Sequence, residues 1–347
     1  MLQEVIARYK RRHAAALLAC RYQQPVAIVG LGGHCLTNIV PVLEQLRVPI
    51  GYICVRSQRT AALAAQRFPE ATIVDTPDPI LADPAVASVI ITTPASQHFG
   101  LANRVLQSGK SLFVEKPPCL TLDEWLQLVH TRPHHGTPAV QVGLQKSYAP
   151  AVAALRQKVL RHPADHYLFR YCTGAYPEGD ALTDLFIHPL HLVCHLFGPA
   201  TLSAHRQTRQ GTLLLQLDHG GTIGALELST AYSWQRPVEE LIVATSGGTL
   251  HLAGIERLTY SPIPQSIAGI PTDKIIPHPP ADITLYSRDT FSPTAAANSL
   301  VSNGFYAEIR DFLDAAEHKA RRRLTTLESL VPVYRLLEEL SAERKRN

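Results

Sequence analysis

Apolar and polar positions follow two alternating patterns between residues 25 and 143. Short, uniformly apolar runs are each followed by a stretch whose apolar residues recur at helical spacing. Uniformly apolar strands joined by helices are typical of a parallel sheet covered on both faces. The predicted strands are 26–29, 50–55, 71–74, 87–93, 111–114 and 138–143, and the predicted helices are 36–46, 60–67, 78–83, 99–107 and 122–129. The pattern predicts an α/β domain with a doubly wound parallel sheet.

The pattern changes near residue 146. A helix is predicted over 149–161, and Asp218-His219-Gly220-Gly221 is a hairpin signal between two apolar–polar alternating runs. The predicted strands of this half are 166–172, 212–218, 222–229, 239–246 and 248–252. Successive hairpins favour a second α/β domain with an open, mostly antiparallel sheet. Residues 261–300 are predicted as a long irregular loop, and 305–320 and 326–344 as closing helices.

The first 24 residues precede these patterns. Apolar and charged residues alternate at helical spacing over 2–21, which predicts a helical extension; a disordered leader is the alternative. Charged residues interrupt the apolar positions, unlike the uncharged core of a signal peptide. We therefore divide the chain into an extension (1–24), a dinucleotide-binding domain (25–145) and a substrate and oligomerisation domain (146–347).

Composition narrows the function classes. The formal charge is +4 over 347 residues, and the basic residues are scattered apart from two clusters, 10–12 and 321–323, that are not interleaved with aromatic residues. We therefore expect no nucleic-acid partner. The apolar runs fall short of the roughly 20 residues that cross a bilayer, so we expect no membrane partner. The six cysteines show no CxxC spacing and lie mostly among apolar residues, as free thiols of a reducing compartment do. We expect a cytoplasmic protein.

A glycine turn follows the first strand. The pattern Gly30-x-Gly32-x-x-Cys35 has a cysteine in place of the third glycine of the dinucleotide fingerprint. Glycines let the backbone approach a phosphate, and the next helix points free N–H groups at it. An ordinary glycine turn is the alternative, but the alternation of strands and helices favours a dinucleotide site. Its predicted contacts in this turn are Gly30, Gly32, Gly33, His34 and Cys35.

The end of the second strand bears on which dinucleotide would bind. An acidic residue there would hold the free ribose 2′-hydroxyl of NAD, whereas Arg and hydroxyl groups suit the 2′-phosphate of NADP. This strand ends in Arg56 and Ser57, without an acid. A planar guanidinium is suited to a phosphate dianion. We predict NADP in preference to NAD; a solvated loop position for Arg56 is the alternative.

Two further stretches carry candidate chemistry. Glu115 and Lys116 directly follow an apolar strand, and the carboxyl end of a parallel strand faces the ligand crevice. Asp184 and His188 are four residues apart and would share one helix face. Pro189 disfavours helix at His188, so the helix could instead begin near the proline, with Asp184 and His188 in a turn.

These motifs together resemble the Gfo/Idh/MocA oxidoreductase family, named for glucose–fructose oxidoreductase and inositol 2-dehydrogenase. The resemblance covers about residues 25–340. The matching segments are Gly30-Leu31-Gly32-Gly33, Thr93-Pro94-Ala95-Ser96-Gln97-His98, Gly109-Lys110-Ser111-Leu112-Phe113-Val114-Glu115-Lys116-Pro117 and Asp184-x-x-x-His188. It implies a Rossmann domain followed by an α/β domain whose open sheet often forms subunit interfaces, and hence a homodimer or homotetramer.

The resemblance also implies an activity. It is reversible hydride transfer between a nicotinamide cofactor, NADP or NAD, and a carbinol or carbonyl carbon of a sugar, inositol or related polyol. Lys116 and His188 would handle the proton, with Asp184 in support, because the alcohol oxygen needs a proton acceptor and a nearby positive charge. Further cofactor contacts would be Thr93, Pro94, His98, Glu115 and Lys116. Candidate substrate contacts are Lys146, Tyr148, Tyr176 and His191.

Three residues depart from the family pattern, namely Phe186, Pro189 and His191. They leave open a cofactor-binding regulatory protein without catalysis. The resemblance also leaves open a second enzyme class, a glycosidase of the same scaffold that recycles its bound cofactor. His188, His191 and His195 recur at helical spacing, which makes a metal site conceivable, but we expect no metal.

Overall fold

The computed structural model describes residues 2–18, 21–132, 138–275, 282–289, 291, 297–317 and 325–346. Its first sheet follows the apolar runs. The strands are β1 (Val26–Val29), β2 (Ile50–Cys54), β3 (Thr72–Val74), β4 (Ser88–Ile91), β5 (Ser111–Glu115) and β6 (Val140–Gly143). They pair in parallel in the order β3-β2-β1-β4-β5-β6. The prediction of a doubly wound Rossmann sheet is confirmed, and its topological switch point lies between β1 and β4.

Helices connect these strands on both faces. They are α2 (Val40–Leu46), α3 (Gln58–Arg67), α4 (Asp78–Ala82), α5 (His98–Gln107) and α6 (Leu122–Thr131), and a further helix, α1 (Leu2–Leu18), precedes β1. A π-helical turn, Cys35–Ile39, leads directly into α2. The helix predicted through Pro41 is therefore present, but it departs from α geometry just before the proline, whose ring would displace a regular helical hydrogen bond.

The second sheet has eight strands and is mostly antiparallel. They are β7 (Ala164–Cys172), β8 (Thr201–Gln207), β9 (Leu213–Asp218), β10 (Ile223–Ser229), β11 (Val238–Thr245), β12 (Gly248–Ala253), β13 (Arg257–Pro262) and β16 (Ile283–Ser287). A separate short pair, β14 (Ser266–Ile267) and β15 (Ile270–Pro271), lies between β13 and β16 in the chain. The order is β16-β13-β12-β11-β7-β10-β9-β8, and β7 and β10 are parallel. The predicted hairpin at 218–221 is confirmed by the pairing of β9 with β10, and a second hairpin joins β11 to β12.

The prediction of a long irregular loop over 261–300 was partly wrong. β13 reaches into it and β16 lies within it, while residues 276–281, 290 and 292–296 lie outside the described residues. β16 is an edge strand whose side chains are mostly exposed, so its apolar positions carry little periodic signal. Its pairing with β13 supplies the hydrogen bonds that make it a strand.

The remaining helices close both sheets. They are α7 (Pro150–Arg161), α8 (Ala181–Asp184), α9 (Ile187–Phe197), α10 (Ser299–Ser302), α11 (Phe305–Ala316) and α12 (Val331–Arg346), with a 3₁₀ turn at Gln145–Tyr148. The chain returns to the first sheet at α11, where Phe312 lies 5.7 Å from Phe113 of β5 between ring centroids. α12 packs on α6 and α9, and Tyr334 stacks on Trp125 at 4.7 Å.

Two surfaces expose apolar side chains. The open face of the second sheet presents Leu168, Leu214 and Ile223, each 46–51% exposed. Helix α1 has every side chain of 3–12 exposed, and the next described residues bind α11: the Arg21 guanidinium lies 2.6 Å from the Asp314 carboxylate. Within the described part of the chain, no helix is long and apolar enough to cross a membrane.

Candidate active site

The glycine turn closes the carboxyl end of β1 against that of β4. Gly30 has φ +93°, and a Cβ atom there would lie 2.8 Å from the backbone nitrogen of Thr93. The Thr92 hydroxyl donates to the Gly30 carbonyl oxygen at 2.7 Å. By contrast, a Cβ atom at Gly32 or Gly33 would meet nothing within 4 Å. Gly30 is therefore needed for the close strand contact, whereas Gly32 and Gly33 leave open space beside the turn.

A cavity of about 400 Å³ opens on this turn. Gly30 and Gly32 lie at one side, and Arg56 and Ser57 line the part formed by the end of β2. The Ser57 hydroxyl accepts the Thr60 N–H at 3.3 Å and so caps α3. Other lining residues are Leu31, Thr60, Asp75, Pro77, Thr92, Thr93, Pro94 and Gln97. We call this space the dinucleotide cavity.

Cys35 does not reach the dinucleotide cavity, although it was predicted to bind the cofactor. Its side chain is fully buried in the core with Ile28 and Phe113, because it occupies the place where the helix packs against the sheet. Burial raises the pKa of its thiol to about 11, so it is a neutral packing group. Cys35 therefore packs in the core, and the prediction that it contacts the cofactor is corrected.

A larger cleft of about 610 Å³ continues from the same strand ends. It shares Thr92, Thr93 and Pro94 with the dinucleotide cavity. The Thr93 hydroxyl oxygen is buried and has no hydrogen-bond partner among the described residues. The cleft is also lined by His34, Ser96, His98, Glu115, Lys116, Pro117, Tyr176, Glu178, Gly179, Asp180, Thr183 and Asp184. The two spaces therefore meet at the end of β4.

His34 and Glu115 form a pair at the wall of this cleft. The His34 Nε2 atom lies 3.0 Å from Oε1 of Glu115, and its Nδ1 atom lies 3.0 Å from the Asn38 amide. Burial lowers the pKa of His34, but the hydrogen bond and the charge of Glu115 outweigh it, so the pKa is raised overall. A Cβ atom at Gly143 would lie 2.9 Å from the Glu115 carboxylate, so the absence of a side chain there makes room for it.

Lys116 reaches across the cleft to the second half of the chain. Its ammonium group donates to the Asp184 backbone carbonyl at 2.6 Å. Burial lowers the pKa of Lys116, while the charges of Glu115 and Asp184 oppose that effect. The Asp184 carboxylate accepts a hydrogen bond from the Tyr176 hydroxyl at 3.3 Å. Lys116, Asp184 and Tyr176 thus lie together at the cleft.

His188 lies at the start of α9, with Asp184 ending the separate short helix α8. The helix begins at Ile187, two residues before Pro189, so the proline stands in its first turn, where its missing N–H is tolerated. His188 is 7% exposed and is absent from the cleft lining. Its Nδ1 atom is buried without a hydrogen-bond partner among the described residues. Burial, followed by the charges of Lys116 and Lys146, lowers its pKa well below the usual value.

Three of the candidate substrate contacts do not reach the cleft. Lys146 lies 2.6 and 2.5 Å from the two carboxylate oxygens of Glu239. Tyr148 donates to Asp311 at 3.2 Å and lines another cavity. His191 is 3% exposed, and its Nδ1 atom lies 3.1 Å from the Ser147 hydroxyl. The tertiary packing of the 3₁₀ turn and α9 directs these side chains elsewhere, which corrects the prediction for all three.

His98 lines the cleft but is fully engaged with the backbone. Its Nδ1 atom lies 2.7 Å from the Pro117 carbonyl oxygen, and Nε2 lies 2.6 Å from that of Thr93. The ring therefore joins the end of β4 to the segment after Lys116, whose peptide bond to Pro117 is cis. It holds the two cofactor-facing segments together.

Sequence reasoning missed several residues that the structure brings to these spaces. Glu178 and Asp180 line the cleft from the segment between β7 and α8, and Asp75 lines the dinucleotide cavity from the end of β3. The position of Asp75 after a predicted strand was the available signal. Among the described residues, no group of three or more His, Cys, Asp or Glu side chains could hold a metal ion.

Comparison with known proteins identifies related chains. Residues 25–144 match the model of an oxidoreductase family with an NAD-binding Rossmann fold, GFO_IDH_MocA. The inositol 2-dehydrogenase of Acidothermus cellulolyticus is 26% identical over 40% of this chain and 42% of its own length. The scyllo-inositol 2-dehydrogenase (NAD(+)) of Bacillus subtilis is 25% identical over 49% of this chain and 56% of its own length. The chain thus spans about half the length of these relatives.

The fold of the whole chain also has counterparts. A dehydrogenase from Chromobacterium violaceum, known from its crystal structure, superposes with a TM-score of 0.77 at 19% identity. The superposition covers 93% of this chain and 95% of the other, so the two proteins share the fold of both the first and the second half. The match to the Gfo/Idh/MocA family model is confined to residues 25–144, and at 19% identity the superposition shows a shared fold alone.

Proposed function

We propose that this protein is an NAD(P)-dependent oxidoreductase. It would transfer a hydride between nicotinamide and a carbinol or carbonyl carbon of a sugar, inositol or related polyol. The observation that carries the proposal is the junction of the dinucleotide cavity with the Lys116 cleft at Thr92–Pro94. A cofactor and a polyol placed in these two spaces would meet there. The inositol dehydrogenases among the relatives support this substrate class.

The dinucleotide cavity fits a nicotinamide cofactor. Gly32 and Gly33 leave open space for a group beside the turn, and the buried Thr93 hydroxyl lacks a partner within the described chain. A bound nicotinamide supplies the acceptor or donor of the hydride. The residues of the chain would then hold the cofactor, exclude water and manage the proton of the substrate hydroxyl.

Lys116 is the group that would contact the substrate oxygen. Its ammonium lies in the cleft and already donates to a carbonyl oxygen, so it is oriented for a second acceptor. A positive charge at that place stabilises the negative charge that develops on the oxygen as the hydroxyl loses its proton, or as a carbonyl accepts the hydride in the reverse reaction. The lowered pKa of Lys116 also eases proton transfer near neutral pH.

His188 would be the second member of the proton-handling pair. Its lowered pKa keeps the imidazole neutral at neutral pH, and a neutral ring can accept a proton. The Lys116 ammonium is close enough for its charge to contribute to that lowering. Asp184, held by Tyr176, would support the arrangement by orienting Lys116 and the substrate.

Replacing Lys116 tests the function. Lys116→Met should lower kcat about 10²- to 10⁴-fold, the usual contribution of a positioned proton-handling group, and leave the Kd for the cofactor nearly unchanged. The measurement is absorbance at 340 nm with inositol and a panel of related polyols. Lys10→Met, which removes the same charge from exposed helix α1, is the matched control. Equal turnover in the two variants would refute the assignment.

The same assay separates the alternative functions. Cleavage of a glycoside without a net absorbance change at 340 nm would indicate the cofactor-retaining glycosidase. Tight cofactor binding without turnover of any substrate would indicate the regulatory protein. A stoichiometric absorbance change with a polyol is the expected result.

We further propose that the preferred cofactor is NADP. Arg56 and Ser57 line the cavity at the end of β2, where a 2′-phosphate would meet a guanidinium and a hydroxyl group. Asp75 lines the same cavity and is the feature that would favour NAD, because a carboxylate can accept the ribose 2′-hydroxyl. The name of the Bacillus subtilis relative specifies NAD(+).

Arg56→Ala separates these cofactors. Loss of a charged hydrogen bond costs about 1.5–3 kcal/mol, so the Kd for NADPH should rise roughly 10- to 100-fold while that for NADH stays the same. Arg59→Ala, an exposed neighbour outside the cavity lining, is the control. Isothermal titration with both cofactors gives the ratio. If NADH binds the unmodified protein as tightly as NADPH, the preference is wrong.

The open face of the second sheet supports a proposal for assembly. Leu168, Leu214 and Ile223 expose apolar surface on one face, which a second copy of the chain could cover. We propose a homodimer or homotetramer that forms through this face, located in the cytoplasm.

A further inference from the structure

A separate cavity of about 250 Å³ lies between α7 and α11. It shares no lining residue with the dinucleotide cavity or the cleft. Its polar lining includes Arg156, Gln157, Ser147, His195, Arg310 and Asp311. We call it the α7–α11 cavity. Because hydride transfer needs none of these residues in the proposed function, the charges of the cavity call for an explanation of their own.

The acidic side chains at this cavity are already engaged. The Asp314 carboxylate accepts from the Arg21 guanidinium at 2.7 and 2.6 Å and from the Tyr22 hydroxyl at 2.8 Å. Asp311 accepts from the Tyr148 hydroxyl at 3.2 Å. Their negative charges are thus directed to groups other than the two arginines that line the cavity.

The two arginines at the cavity are not paired in this way. Neither Arg156 nor Arg310 forms an ion pair with a carboxylate in the described chain. The Arg156 Nε atom is buried and finds no hydrogen-bond acceptor among the described residues. Arg310 lies with its guanidinium carbon 5.7 Å from the Tyr306 ring centroid. Two guanidinium groups that form no ion pair among the described residues therefore face a space whose lining carboxylates, Asp311 and Asp314, already bind other groups.

Such an arrangement is costly without an anion. The buried Arg156 Nε atom is destabilising while it lacks an acceptor, the more so because it belongs to a charged group, whereas Arg310 is exposed and free to approach a bound ligand. A phosphate or carboxylate would satisfy both guanidinium groups at once, since the planar fork of arginine matches these groups. The Ser147 hydroxyl and the Gln157 amide supply further donors.

We propose that the α7–α11 cavity binds a small anionic metabolite through Arg156 and Arg310. The volume is below the range of about 300–1,000 Å³ that drug-sized ligands occupy, so the ligand would be small. Its recognised group is a phosphate monoester or a carboxylate. The Ser147 hydroxyl also contacts His191 at 3.1 Å, one helical turn after His188, so the ligand would lie next to the helix that carries a proposed proton-handling residue.

Anion titration of the full-length protein tests this site. Inorganic phosphate and malonate are titrated at constant ionic strength set with sodium chloride, by calorimetry and by the shift of the thermal midpoint. Saturating NADPH blocks phosphate binding beside Arg56, and the Arg56→Gln variant without cofactor provides the same measurement independently of cofactor binding. We expect saturable binding of at least one anion. A preference for phosphate indicates a phosphate monoester, and a preference for malonate indicates a carboxylate.

Substitutions on α7 locate the binding. Arg156→Gln should weaken anion binding at least tenfold, Arg156→Lys should weaken it less, and Arg161→Gln, on the same helix but exposed and outside the cavity, should leave it unchanged. Circular dichroism confirms that each variant is folded, and Arg310→Gln replaces Arg156→Gln if the latter is not. The inference is wrong if neither anion binds saturably, or if the cavity variant binds as tightly as Arg161→Gln.

Discussion

The Glu115 carboxylate shows how single residues determine the candidate site. It is held by the His34 ring at 3.0 Å and by the Lys116 backbone N–H at 3.3 Å, and the missing side chain of Gly143 leaves room for it. Both its partners line the same cleft as Glu115 itself. One oxygen of Glu115 therefore helps to position the glycine turn through His34, and the other helps to position Lys116 through its backbone N–H.

Gly30 is the residue whose replacement should be most damaging in the glycine turn. In Gly30→Ala, a side chain at φ +93° costs about 1–3 kcal/mol, and its Cβ would meet the Thr93 backbone at 2.8 Å. We expect a lower free energy of unfolding and weaker cofactor binding, measured by urea denaturation and fluorescence titration. Gly33→Ala, where a Cβ meets nothing, should retain its stability. Equal stability of the two variants would contradict this account.

Among the predicted site residues, those that follow strand ends line the two spaces, whereas several of those on packed elements do not. Lys116 and Arg56 directly follow strands of a parallel sheet, and the topology alone brings such residues to one edge. Tyr148 and His191 lie on a 3₁₀ turn and a helix that are buried on several sides. Which side of such an element faces the cleft depends on packing against α11 and α12, which no local pattern contains.

At the scale of elements, helix α9 carries three histidines that burial keeps neutral. The pKa of His191 is lowered to about 3 and that of His195 to about 4, in each case chiefly by burial. In the unfolded chain these histidines take up protons near pH 6.5. The unfolded state therefore binds more protons below that pH, and the free energy of unfolding falls as the pH is lowered from about 6.5 toward 4.

Replacing His195 should reduce that dependence. We expect His195→Gln to show a smaller loss of unfolding free energy between pH 7 and pH 4.5 than the unmodified protein, measured by urea denaturation at each pH. His130→Gln, an exposed histidine of α6, is the comparison and should keep the original slope. The same slope in both variants would show that burial of His195 does not contribute to acid sensitivity.

Element prediction worked where the chain pairs with its neighbours in sequence. The β9–β10 and β11–β12 hairpins were predicted because glycine turns join adjacent strands. The parallel pairing of β7 with β10 was not, since β7 enters the middle of the sheet between strands that lie more than 50 residues later. Such long-range pairing depends on the whole sheet and leaves no local signal.

At the scale of the molecule, the second sheet has one covered and one open face. The covered face packs on α7 and α9, and the open face places Leu168 beside Ala225 of β10 and Arg170 beside Glu227. The Arg170 Nε atom lies 2.7 Å from the Glu227 carboxylate. Apolar residues alternating with a satisfied ion pair are suited to contact with another protein surface.

Leu168→Glu tests whether this face joins subunits. A charge introduced at the centre of a buried apolar contact is costly, so we expect the sedimentation mass to fall to that of a smaller assembly while cofactor binding persists. Leu63→Glu, on an exposed leucine of α3 in the first half, should leave the mass unchanged. A monomeric unmodified protein, or an unchanged mass of the Leu168 variant, would contradict assembly through this face.

The exposed helix α1 has a practical consequence for work on this protein. The side chains of its residues 3–12 are exposed, and among the described residues Arg21 and Tyr22 bind Asp314 of α11. A helical stretch with exposed side chains is marginal in water, so we expect residues 3–12 to unwind locally more readily than the buried helices. Lys10, Arg11 and Arg12 are exposed in this stretch, so we expect early cleavage by trypsin there. An affinity tag or fluorescent label attached within residues 3–12 would join a stretch that lines neither the dinucleotide cavity nor the cleft.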